Sequence, residues 1–162
     1  YESKTLFGQV RNTFVGGVLK MDSWPAGLGR IIIVRGDRGE DLLETIEKTA
    51  QRNGVLNGFI VSAIGTLENC RIHRVVSKSL RPEEEYVNID GPLEINSVSG
   101  IIANGKLHAH ISVSDRNKTY GGHLESGSKI LYLAEIVVAE SSGVRLDRVL
   151  DEETGLRLLK AI

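Results

Sequence analysis

Residues 93–114 read LEINSVSGIIANGKLHAHISVS, and their pattern decides the fold class. Two strand-like runs, 93–103 and 106–114, flank Asn104-Gly105, and both of these residues tolerate the positive φ that a two-residue hairpin demands. The stretch predicts two antiparallel strands joined by a tight turn. Side chains alternate along a strand, so His108 and His110 leave it from one face, while Ala109 points the other way. The two histidines then stand about 6.5–7 Å apart along the strand.

Working outward, 86–89 and 129–140 (KILYLAEIVVAE) are also strand-like. Upstream, 58–66 (GFIVSAIGT) and 70–77 (CRIHRVVS) read as consecutive strands joined by a tight turn at 67–69. RIIIVR at 30–35 is a candidate for a compact buried strand, and a short first strand is expected near 13–20. One helix stands out at 40–53, EDLLETIEKTAQRN, where Leu42, Leu43, Ile46 and Ala50 fall at helical spacing. Glu40 and Asp41 place negative charge at its start, and Gly54 follows where a C-cap glycine belongs. Residues 115–128, DRNKTYGGHLESGS, read as a polar, glycine-rich loop of the kind that carries function. A last strand at 144–149 precedes a charged tail compatible with a short helix. The class expected is α+β, a mainly antiparallel sheet with one principal helix.

Composition agrees with that reading. Fifteen Val, fifteen Ile and eighteen Gly against three Pro favour pleated structure with many turns. No repeat or linker-like tract divides the 162 residues, so one domain over 1–162 is expected. Twenty basic and twenty-one acidic side chains leave a formal charge of −1, which argues against a protein built chiefly to bind polyanions. No apolar run approaches the roughly 18 residues of a membrane helix. The opening YESKTLFGQVRNTFVGG lacks the basic-then-apolar layout of a secretory signal, and a lone Cys70 suits a reducing compartment. A cytoplasmic location is expected.

The residues that could carry chemistry are few. His123 follows Tyr120-Gly-Gly, and the glycines let the backbone turn sharply or approach another group closely. Together with His108 and His110 it supplies three imidazoles, the donor set of a catalytic-type zinc site with one open position. His73, between Arg71 and Arg74, reads as an isolated surface histidine. Glu94 sits in an otherwise apolar strand, where partial burial would raise its pKa and suit it to general acid or base catalysis.

These motifs together resemble the plant-and-prokaryote conserved (PPC) domain family. The resemblance runs over residues 29–140 and rests on RIIIVRGDRGEDLLETIEKTA, FIVSAIGTLENC, GPLEINSVSG, KLHAHISVSD with YGGHL, and AEIVVAE. It implies an α+β domain that assembles as a homotrimer. It also implies zinc or another divalent transition metal on His108, His110 and His123. The family's fold is similar to that of acetolactate decarboxylase, a metalloenzyme with a three-histidine zinc site. On this reading the site binds or transforms a small molecule, with Glu94 handling a proton if chemistry occurs. The alternative that the family implies is DNA binding, since its plant members accompany an AT-hook. This sequence has no Arg-Gly-Arg core to enter a minor groove, and its charge of −1 gives no general drive toward DNA.

Overall fold

Long runs of β-branched residues alternating with polar ones become long, paired strands. The fold is that of a computed structural model, which describes residues 10–11 and 22–162. The strand expected near 13–20 lies outside the described residues. The elements are β1 (Val10–Arg11), β2 (Asp22–Ser23), β3 (Gly27–Asp37), α1 (Leu42–Arg52), β4 (Gly58–Val75), β5 (Glu84–Ala103), β6 (Lys106–Ser114), β7 (Thr119–Leu124), β8 (Ile130–Ser142), β9 (Leu146–Leu150) and β10 (Arg157–Ala161). Six of them form one antiparallel sheet in the order β3-β8-β4-β5-β6-β7. The end of that sheet curls back: β7 also pairs with β4, through Ile72↔Leu124 and His73↔His123. β4, β5, β6 and β7 therefore close into a ring.

The expected helix is present and its caps are as the sequence suggests. Asp41 is the N-cap and accepts a hydrogen bond from the Glu44 amide at 3.0 Å. Gly54 adopts φ +69° and its amide donates to the Gln51 carbonyl at 2.9 Å, closing the C-terminus. Leu42, Ile46 and Ala50 form the helix's buried stripe and join a core that includes Leu67, Ile72, Ile102, Leu124 and Ile136. Each fully buried Leu or Ile contributes about 1.5–3 kcal/mol relative to exposure.

Three expectations are corrected by tertiary pairing. The tight turn at 67–69 is instead a bulge within the single strand β4. Leu67 is buried there, and the Asn69 side-chain amide donates to the Gly127 carbonyl at 2.7 Å, so a polar break in the pattern is absorbed without a reversal. The loop at 115–128 contains β7: the Asp115 carboxylate accepts from the Asn117 and Lys118 amides, which reverses the chain and lets Thr119–Leu124 lie against β6. The C-terminal tail forms no helix. β10 pairs with β9, and between them the Thr154 amide and hydroxyl both donate to the Asp151 carboxylate.

Candidate metal centre

The β5–β6 hairpin fixes the first two histidines. Asn104 and Gly105 take φ +50° and +73°, and Ala103 pairs with Lys106 across them. This register sets His108 opposite Ile101 and His110 opposite Ser99. Gly100 faces Ala109, and a Cβ on it would meet the Ala109 Cβ at 2.6 Å, so only glycine lets the strands approach this closely behind the imidazoles.

The third histidine arrives with β7. His123 is the cross-strand partner of His110 on one side and of His73 on the other. Gly122 makes the second contact possible, because a Cβ there would stand 2.7 Å from the His73 carbonyl and 3.1 Å from Ile72. The isolated surface histidine expected at 73 is thus corrected. His73 is half-buried and stacks on His123, with ring centres 4.3 Å apart and planes inclined by 22°. No local sequence signal marks it, since the ring closure that brings it in joins residues far apart in the chain.

Glu125, two residues beyond His123, completes the cluster. His73 Nδ1 lies 2.7 Å from its Oε1, and His123 Nδ1 lies 3.2 Å from the same oxygen. His123 Nδ1 is buried and makes no hydrogen bond of proper geometry. On the far side, His73 Nε2 is 3.7 Å from Glu84 Oε1. Arg148, from β9, lines the same cleft as all four histidines. Burial, seconded by the Arg148 charge, holds the His108 imidazolium pKa down at about 4, so its ring is neutral near pH 7. Burial, with His73 second, also lowers that of His123. Neutral imidazoles are the ligating form.

The model of the Plants and Prokaryotes Conserved (PCC) domain matches residues 25–142, well over half of the chain. The chain belongs to the PCC domain family. Among solved structures, a metal-containing protein of Archaeoglobus fulgidus is similar at TM-score 0.75 and 30% identity, over 86% of this chain and 99% of that one. A plant- and prokaryote-conserved protein of Pyrococcus horikoshii is similar at TM-score 0.74 and 28% identity, over 88% of this chain and 99% of that one. A candidate DNA-binding protein of Bacteroides thetaiotaomicron shares the fold at TM-score 0.70 and 21% identity, over 83% and 96% of the two chains. The bifunctional protein GlmU of Synechococcus sp. (strain JA-3-3Ab) is 34% identical over 132 residues, 81% of this chain. The chain spans about a fifth of the length of the curated relatives it matches.

Within this PCC domain the donor geometry can be compared with what a metal requires. Zn–N bonds of 2.0–2.1 Å in a tetrahedron put imidazole centres roughly 5 Å apart. The observed separations are 4.6 Å for His108–His123, 5.6 Å for His110–His123 and 6.0 Å for His108–His110. The His123 ring is inclined by 80° and 70° to the other two. A second set, His73, His123 and Glu125, has ligand atoms within 4.8 Å of one another. There the two imidazole rings are stacked, with centres 4.3 Å apart. His123 belongs to both sets, and the Glu125 carboxylate oxygen stands 3.2 Å from its Nδ1.

Glu94 lies elsewhere. It pairs with Ser114, four residues along β6 from His110, which sets it about 13 Å away along the strand. Its side chain is exposed, without the partial burial that general acid or base work would need, because it occupies the outer face of β5 while Leu93 and Ile95 take the inner one. Cys70 is fully buried and its thiol is pushed up to about 11, chiefly by burial, which suits packing and not nucleophilic chemistry.

Proposed function

We propose that this PCC domain is a metal-binding protein, its centre held by His108, His110 and His123, and that it binds or transforms a small molecule there as a homotrimer. The observation that carries the reading is the convergence of the three rings at ligand-compatible spacing and inclination, on a scaffold that keeps His108 neutral. The metal-containing relative from Archaeoglobus fulgidus supports it. Zinc or another divalent transition metal suits three imidazoles, and would supply Lewis-acid polarisation of an oxygen or a water of lowered pKa. His73 and Glu125 hold and orient His123, and Glu125, not Glu94, is the carboxylate within reach of the centre.

Support for assembly comes from the outer face of the sheet. Register places Ile31 and Ile33 of β3, Phe59 and Ile64 of β4, Leu133 of β8 and Ile101 of β5 on one side, all exposed, Ile33 at 80%. Exposed apolar residues gathered on one face, with Arg35 and Glu135 among them, favour an interface there. Ile101 is the cross-strand partner of His108, so assembly on this face would border the metal centre. DNA association has weaker support, because a charge of −1 supplies no counterion-release drive.

The test is a His110→Ala variant beside the parent, measured for metal content and for mass in solution. Loss of metal with the assembly retained supports a binding centre. Collapse of the assembly would make the histidines structural and overturn the functional part of the proposal.

A further inference from the structure

The hairpin of β9 and β10 lies C-terminal to the residues that the family model matches, and it forms one wall of the histidine cleft. The cleft encloses about 710 Å³, within the range of small-molecule sites. This wall adds two kinds of surface to the cleft. Arg148 projects a half-buried guanidinium, while Leu156 and Leu158 offer partly exposed apolar side chains.

Arg148 is incompletely satisfied. Its NH1 donates to the Arg157 carbonyl at 3.3 Å, but its Nε is buried with no partner. Among the described residues no carboxylate pairs with it. The neighbouring Asp147 is committed elsewhere, accepting from the Arg148 backbone amide at 2.7 Å and from the Asn104 side-chain amide at 3.2 Å. Glu84 and Glu125 both flank His73, on its Nε2 and Nδ1 sides. Arg157 and Arg74 add positive charge to the same rim, each donating to a backbone carbonyl and neither forming an ion pair among the described residues. A buried guanidinium without a counter-charge is costly, and a planar oxyanion presented to it would make charge-assisted bonds.

We infer that the cleft recognises a small carboxylate-bearing molecule, its carboxylate taken by Arg148 and its short hydrocarbon body laid against Leu156 and Leu158. This rests on the metal-centre reading of the same cleft, and it names the ligand class that the centre meets. A carboxylate on a hydrocarbon stem matches both surfaces, whereas inorganic phosphate would leave the apolar wall unused.

The test is calorimetric titration of the zinc-loaded chain with 2-oxobutyrate, its uncharged methyl ester and inorganic phosphate. Saturable binding of 2-oxobutyrate is expected, with the ester at least about tenfold weaker, from loss of a charge-assisted pair. Arg148→Met should raise the 2-oxobutyrate Kd about tenfold or more at unchanged zinc content, and Arg148→Lys should recover part of it. Equal binding by Arg148→Met, equal binding of acid and ester, tighter binding of phosphate, or no binding of 2-oxobutyrate at millimolar concentration would each overturn the inference. The acid–ester comparison on the parent stands even where a variant folds poorly. A chain that retains no zinc yet binds 2-oxobutyrate through Arg148 would remove the metal reading and leave this one standing.

Discussion

His73 and His123 face each other as a cross-strand pair, ring centres 4.3 Å apart, at the seam where β7 returns to β4. The seam places a fourth imidazole and the Glu125 carboxylate behind the three-histidine set, so the closing of the ring and the building of the centre are one structural event.

Gly122→Ala should damage the seam. The added methyl would meet the His73 carbonyl and Ile72, and relieving it requires β7 to move from β4. A loss of about 1–3 kcal/mol in chemical denaturation is expected, together with weakened metal binding. Gly121→Ala is the comparison, since a Cβ there meets only the Ile111 carbonyl at 3.3 Å and the loss should be smaller.

Glu125→Gln should separate orientation from folding. The amide oxygen can still accept from His73, but the carboxylate that would receive the His123 Nδ1–H is gone. Metal affinity should fall about 10–100-fold with little change in unfolding midpoint of the metal-free chain. Unchanged affinity, measured by competition with a chromophoric chelator, would show that Glu125 does not orient the ligand.

The metal-free chain should lose stability as pH falls from about 6.5 toward 4. His108 is held to about 4 in the folded state, chiefly by burial, against an ordinary 6.5. Between those values the unfolded chain binds more protons, so stability rises with pH through this window and its His108 contribution is complete above it. His108→Gln should flatten this part of a thermal-unfolding series across pH.

Ile33→Asp should break the assembly without unfolding the protomer. Ile33 is 80% exposed on the apolar outer face and contributes little to the protomer core. Light scattering should report a trimer for the parent and a smaller species for the variant. An unchanged mass would place the interface on another surface.

Much of the fold was legible because its signals are local. The alternation of 106–114, the Asn104-Gly105 turn and the helix with its acidic start and Gly54 stop each depend on neighbours in sequence, and each is realised. What was not legible depends on partners far along the chain. Tyr120-Gly-Gly-His123 reads as a loop by composition, and becomes β7 only because Ile111, Ser112 and Ile72 offer it edges. The bulge at Leu67–Asn69 reads as a turn for the same reason. The candidate site divides in the same way. His108 and His110 share a strand and could be placed together, and His123 could be suspected from its glycines. His73, Glu125 and Arg148 enter by ring closure and by the C-terminal hairpin, for which no spacing in the sequence prepares the reader. The one available hint, Glu125 at two residues from His123, has meaning only once the segment is known to be extended.

The central claim is tested most directly by elemental analysis of the purified chain, expressed without a histidine tag, beside a His108→Ala/His110→Ala double variant. The account predicts about one zinc or similar divalent metal per chain in the parent, and its loss in a variant that remains folded. A parent that holds no metal even after reconstitution, or a variant that keeps it in full, would contradict the account.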